Sequence, residues 1–208
     1  MLRKLFLILV LLSSTVYAGQ KAVTDTGKIV ILNDNGTWVY EDDQLNKKET
    51  IGTNQAIFEK SPDADFQFKS KRNNSAFWIN TNKWKITQMI KNDSAEYIFK
   101  RENADLYALV IAEGFAMPME TLANAAFNNM KEQDANATIS GKEYRIVNGN
   151  KVIYMVYGGT VNGIPVSYYG YFSTNDSGCT QFIVFTSTNL GEKHESEIQE
   201  FLNGLTVQ

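Results

Sequence analysis

"VNGNKVIYMVYGGTVNGIPVSYYGYF", residues 147–172, holds two Asn-Gly pairs, each set between apolar runs. Asn and Gly accept the positive φ that a two-residue hairpin turn demands. Asn148-Gly149 and Asn162-Gly163 therefore predict three successive antiparallel strands: "KEYRIV", "KVIYMVYGG" and "IPVSYYGYF". A fourth, "CTQFIVFTS", follows the turn residues "NDSG". Both registers of these strands are apolar. Val152, Tyr154 and Val156 alternate with Ile153, Met155 and Tyr157, and Phe182 and Val184 alternate with Ile183 and Phe185. A sheet with one wet face alternates with polar residues instead. Both faces of this sheet are expected to be covered, by helices and by the N-terminal segment as a further candidate.

Moving toward the N-terminus, "AEYIFKR" and "DLYALVIAEGF" joined by "ENA" predict another hairpin, and "AFWIN" and "KWKIT" predict two strand pieces with a turn at Thr81-Asn82. The period changes over residues 119–133. Met119, Leu122, Ala123, Ala126, Phe127 and Met130 recur at helical spacing behind Pro118, which suits a first helical turn. Residues 192–205 predict a second helix, with Ile198, Phe201, Leu202 and Leu205 on its buried side and Gly204 near its end.

The first residues carry an address. Arg3 and Lys4 precede the apolar run "LFLILVLL", and "VYA" places Val16 and Ala18 where a signal peptidase reads. Residues 1–18 are expected to be a cleavable signal peptide. The run is far short of the roughly 20 apolar residues a spanning helix needs. A bacterial periplasmic or secreted protein without a transmembrane segment after cleavage is the expectation. Residues 19–41 contain "GKIVILNDNGTWVYE", which predicts an appended β-hairpin turning at "NDNG". Residues 42–75 are polar apart from Ile57, Phe58, Phe66 and Phe68, and predict a linker with one short strand. Residues 76–208 are then the main domain, expected to fold without the hairpin.

Composition narrows the chemistry. The chain of 208 residues is 43% hydrophobic and 12% aromatic, enough for a real core. Twenty basic against twenty-three acidic residues give a net charge of −3 with no long run of one sign, which argues against nucleic acid as a partner. One cysteine, Cys179, and one histidine, His194, cannot make an internal disulfide or a zinc site. A Cys-His catalytic pair would need the two brought together, and His194, within "EKHESE", is expected to face water. The acidic stretches "EDD" and "DAD" lack the glycine and closing glutamate of an EF-hand loop. Five Asn-x-Ser/Thr triplets, at Asn35, Asn73, Asn92, Asn136 and Asn175, are read as chance in an Asn-rich chain. Phosphate loops, nucleophile elbows and metalloprotease helices are absent from the sequence. No catalytic residue, metal or cofactor is expected.

The aromatic cluster Tyr154, Tyr157, Tyr168, Tyr169, Tyr171 and Phe172 admits two readings, sheet packing or a recognition surface. Along the strand Tyr168 and Phe172 share one face, and Tyr169 and Tyr171 share the other. The candidate binding residues are Trp38 and Tyr40 of the hairpin, with Tyr169 and Tyr171 of the sheet.

Three stretches, "FWINTNKW" (77–84), residues 147–172 and "EIQEFLNGL" (197–205), resemble the PsbP-like superfamily, which includes exported DcrB-like bacterial proteins. The resemblance spans residues 76–208 and rests on strand order and turn placement. It implies an α+β fold, an antiparallel sheet sandwiched by helices, and a role as an accessory or partner-binding module. No ligand set is carried over. Separately, "LNDNGTWVY" resembles a short unit near the start of many exported bacterial proteins. Two functions follow as expectations. One is a non-enzymatic exported module that binds a protein or envelope component. The alternative is a small-molecule or lipid carrier with an apolar pocket between helix and sheet, lined by residues such as Phe127, Met130 and Met155. A hydrolase built on carboxylates ranks third. A filled core favours the first, and an apolar cavity of a few hundred Å³ favours the second.

Overall fold

The structure is a computed structural model that describes residues 20–24, 29–32, 36, 38–40 and 51–207. The expected signal peptide and residues 42–50 of the expected linker lie outside the described residues. The chain divides into two units, Met1–Thr50 and Ile51–Gln208.

In the first unit β1 (Gln20–Val23), β2 (Ile29–Leu32) and β3 (Trp38–Tyr40) form an antiparallel sheet in that order. β2 and β3 are the expected hairpin, with Leu32 opposite Trp38 and Val30 opposite Tyr40. β1 is additional. "QKAV" carries neither alternation nor turn signals, yet it pairs with the free edge of the apolar β2. A two-stranded hairpin is marginal in water, and a third strand relieves that.

The second unit is built from β4 (Gly52–Phe58), β5 (Phe66–Lys69), β6 (Ser75–Ile79), β7 (Trp84–Ile86), β8 (Tyr97–Arg101), β9 (Tyr107–Glu113), α1 (Met119–Gln133), β10 (Thr138–Val147), β11 (Asn150–Val161), β12 (Ile164–Asn175), β13 (Gly178–Ser187), α2 (Glu195–Leu202) and β14 (Leu205–Val207). Eight strands form one sheet in the order β4-β10-β11-β12-β13-β9-β8-β7. Every pairing in it is antiparallel except β4 with β10. The two Asn-Gly turns are as expected, with Asn148 at φ 49° and Gly149 at 82°, and Asn162 at 50° and Gly163 at 81°.

The linker reading of residues 42–75 does not hold from Ile51 onward. β4 lies on the edge of the large sheet, and β5 pairs with β6 in a second sheet, β14-β6-β5. An edge strand with a wet side keeps a polar composition, and a parallel pairing needs no hairpin turn to announce it. The two strand pieces and the turn at Thr81-Asn82 are as expected. β6 lies in the small sheet and β7 in the large one, so the turn carries the chain from one layer to the other. One further expectation is revised. The C-terminal helix ends at Leu202, and Leu205 opens β14 against Phe77 of β6.

Both faces of the large sheet are covered, as the doubly apolar strands require. On one face α2 and the small sheet enclose Phe77, Phe99, Tyr171, Phe182, Phe201 and Leu202. On the other, α1 lays Leu122, Ala123, Ala126 and Met130 against Ile153, Met155, Phe172 and Ile183. This cover is partial. Eight strands about 4.8 Å apart make a face roughly 35 Å wide, and a helix about 10 Å across cannot span it. Where α1 sits therefore decides where the sheet stays open.

Candidate functional site

Three contacts seat α1 toward the β10–β11 side. Lys142 Nζ donates to Asn124 Oδ1 (3.0 Å), and the Tyr144 hydroxyl donates to Glu120. Beyond the helix end, Asp134 Oδ2 accepts from the Thr160 backbone N–H (2.7 Å). Gly159 permits the close approach, because a Cβ there would lie 2.9 Å from Met130 Cε and 3.2 Å from Ala137 Cβ. The rest of the face, over β12, β13 and β9, is left as a cleft of about 750 Å³. Ala126 and Met130 of α1 form one wall, and the β7–β8 connection contributes Ile90, Lys91 and Asn92.

An aromatic row forms its floor. Tyr157, Tyr168, Phe185 and Tyr107 stand directly opposite one another on four adjacent strands. Successive ring centroids are 5.2, 5.4 and 5.7 Å apart, with planes within 14°, 24° and 24° of parallel. Rings this close and this parallel overlap in offset stacks, so they stand on edge and present edges and hydroxyls to the cleft. Both ends are closed: Phe127 meets Tyr157 edge-on at 6.3 Å, and Lys100 Nζ lies 5.6 Å from the Tyr107 ring. Burial raises the hydroxyl pKa of Tyr157, Tyr168 and Tyr107, and the neighbouring Asp105 raises that of Tyr107 further. All three hydroxyls therefore remain protonated at neutral pH.

The sequence located this region in part. Met130 lines the cleft as expected, whereas Met155 lies fully buried beneath the helix, and Phe127 supports the row from its end. Tyr157 and Tyr168 were singled out only as members of a cluster, and Tyr107 and Phe185 not at all. Their signal is cross-strand register, which becomes readable once the pairing of β13 with β9 is known.

The sheet residues chosen for binding lie on the opposite face. Tyr171 is fully buried, so it presents no surface to a partner. Its hydroxyl donates to Asn203 Oδ1 (2.8 Å) and accepts from Arg145 Nη1 (3.2 Å). Tyr169 is half-buried under the helical turn Thr188–Gly191, where a Cβ on Gly191 would fall 2.0 Å from its hydroxyl. Of the other pair, Tyr168 lines the cleft, whereas Phe172 is fully buried beneath α1. In the first unit Trp38 is 52% exposed and meets Tyr40 in a T-shaped contact at 5.2 Å. Of the four candidate binding residues, Tyr171 alone is sealed from a partner.

Cys179 and His194 are not brought together. Cys179 is the second residue of β13, and His194 follows the strand's far end, roughly 25 Å away at about 3.3 Å per strand residue. His194 is also less exposed than expected, because Nδ1 pairs with Glu197 Oε2 at 2.8 Å. Among the described residues no group of three or more His, Cys, Asp or Glu side chains is arranged to hold a metal ion. Among them, too, no helix is long and apolar enough to cross a membrane.

No protein-family model and no curated protein matches the sequence. Solved structures do. The cyanobacterial PsbP of Synechocystis sp. PCC 6803 superposes with a TM-score of 0.55 at 12% identity, covering 71% of this chain and 95% of its own. A protein from Bacteroides thetaiotaomicron gives a TM-score of 0.43 at 10% identity, covering 70% of this chain and 49% of its own. A Pseudomonas aeruginosa protein of unknown function gives 0.43 at 11% identity, covering 60% and 83%. With its antiparallel strand order and its helices on opposite faces of one sheet, this chain has the PsbP-like fold.

Proposed function

We propose that the Ile51–Gln208 unit is a non-enzymatic carrier that holds a small apolar molecule in the cleft beside α1. One observation carries this reading: a largely apolar sheet face is left open over about 750 Å³, floored by four stacked rings. That volume falls within the range of small-molecule pockets, roughly 300–1,000 Å³. An open apolar face without an occupant would be a standing liability in water. On the opposite face the Tyr154 and Tyr171 hydroxyls are spent on internal partners.

Titration with the fluorophore N-phenyl-1-naphthylamine tests the proposal. The expected result is a saturable rise in emission with one site per chain. Val166 is half-buried in the cleft lining, and Val166→Trp fills the space there. That variant should lose at least about tenfold in affinity, equivalent to about 1.4 kcal/mol, with its thermal midpoint little changed. Unsaturable emission, or equal binding by the filled variant, rejects the cleft as the site.

The carrier works outside the inner membrane, on the strength of Arg3, Lys4, the apolar run and "VYA". N-terminal sequencing of the exported protein is expected to begin at Gly19. An intact Met1 in a membrane fraction would contradict export by cleavage.

A further inference from the structure

The inference rests on the cleft being a ligand site and concerns what that ligand must carry. Tyr157 is 5% exposed, fixed on one side by the stack with Tyr168 and on the other by the edge of Phe127. Its hydroxyl makes no hydrogen bond to any described residue, and its own burial and the neighbouring Tyr168 both hold it protonated. No side-chain oxygen among the described residues is both sealed from solvent and unpartnered. The Tyr157 hydroxyl must therefore open onto the one surface this residue lines, the cleft.

The other well-buried tyrosines behave differently. Tyr154 accepts from Gln199 Nε2 (2.9 Å), and Tyr171 is bonded to both Arg145 and Asn203. Even the more exposed Tyr97 donates to the Lys69 carbonyl (2.7 Å). A hydroxyl open to the cleft is satisfied by water or by whatever occupies the cleft. Here the hydroxyl has no protein partner to release before it bonds a ligand in the cleft.

We infer that the cleft's ligand is an apolar molecule bearing a neutral carbonyl oxygen, of the ketone or ester class, which accepts a hydrogen bond from the Tyr157 hydroxyl. The hydroxyl stays protonated, so its O–H is available to donate to an acceptor on the ligand. The charged side chains of the cleft, Lys91 and Asp105, are both exposed at its rim. A carboxylate carried down to Tyr157 would be buried without a cation, which is costly, whereas a carbonyl needs only the one donor. The apolar remainder of the ligand lies along the ring edges.

A matched pair of probes tests this: 2-acetylnaphthalene and 2-isopropylnaphthalene, which differ in the carbonyl. Each is titrated against the wild-type protein and Tyr157→Phe by calorimetry. The variant keeps the ring and its stack and removes the hydroxyl alone, so the fold should be at least as stable as before. The expected result is a loss of about three- to tenfold for the ketone, with the hydrocarbon unchanged within about twofold. The carbonyl stretching band of the bound ketone should lie at lower frequency in the wild type than in the variant. Equal weakening of both probes, or of neither, overturns the anchoring role of Tyr157 and leaves the cleft standing as a site. If neither probe binds the wild-type protein, the cleft reading fails and this inference with it.

Discussion

Arg145→Ala is expected to lower the unfolding free energy by about 3–5 kcal/mol, a large share of the roughly 5–15 kcal/mol a domain possesses. Arg145 is 7% exposed, and its guanidinium lies 3.6 Å from the Tyr154 ring centroid and 4.4 Å from that of Phe58. Nε donates to Glu143 Oε1 (2.6 Å), while Nη1 donates to Gln199 Oε1 (2.7 Å) and the Tyr171 hydroxyl. One side chain thus ties β4, β10, β11, β12 and α2 together. Removing it leaves Glu143 without its charge partner, and Gln199 and Tyr171 each without a donor. It also opens a hole between two rings. Arg145→Lys should recover only part of the loss, because a compact ammonium can neither stack flat between rings nor fork to two acceptors. Urea unfolding measures both variants. A cost below about 1 kcal/mol for Arg145→Ala would show that the network relaxes without it.

The same cluster gives the stability a pH dependence of known sign. Burial pushes the Glu143 carboxyl up, but hydrogen bonds from Asn54 and Arg145 and the charge of Arg145 outweigh it, and the net shift is downward from 4.5. A carboxyl lowered in the folded state contributes stability above its unfolded pKa and loses it as pH falls through the folded value. The loss therefore begins below pH 4.5. In Arg145→Ala this acid step should shrink, since the arginine supplies much of what holds the carboxyl down.

Local signals gave away most of the second unit. Asn148-Gly149, Asn162-Gly163 and the helical spacing of residues 119–133 are short-range patterns, and each produced the expected element. The doubly apolar registers of β11 and β13 required covers on both faces, and α1 and α2 provide them. What stayed hidden was long-range pairing. β4 joins β10 in parallel, and "FQFK" of β5 joins "SAFWI" of β6 within a stretch whose charges resemble those of a linker. The cleft was hidden for the same reason. Its floor depends on Phe185 facing Tyr107 across strands far apart in sequence, and the alternation along one strand cannot reveal that register. Choosing Tyr169 and Tyr171 over Tyr168 and Phe172 was a choice between two faces that the strand alone leaves equivalent. The covers decide it residue by residue: Tyr171 and Phe172 are fully buried, Tyr169 lies under the turn Thr188–Gly191, and Tyr168 lines the cleft.

Gly178→Ala should be the most damaging single-methyl change in the molecule, costing more than about 4 kcal/mol or preventing folding outright. Gly178 begins β13 at φ +145°, a backbone conformation that side chains of L-residues rarely enter. A Cβ there would lie 1.9 Å from the Glu113 carbonyl oxygen and 3.2 Å from Asn73 Cβ. The carbonyl cannot retreat cheaply. The Asn73 side-chain amide donates to Glu113 O (3.3 Å), Cys179 O (2.9 Å) and Thr180 Oγ1 (3.0 Å), which knits the β5–β6 turn into the ends of β9 and β13. Easing the clash means parting β13 from β9 or breaking this corner, and either exposes buried core. Gly149→Ala provides the comparison. That glycine also has positive φ, at 82°, but a Cβ there would meet nothing within 4 Å. Its cost should be only the backbone term, about 1–2 kcal/mol. Unfolding of the two variants side by side separates backbone strain from collision. If Gly178→Ala costs no more than Gly149→Ala, the β9 carbonyl moves aside freely, and the corner at Asn73 is not the clamp its hydrogen bonds describe.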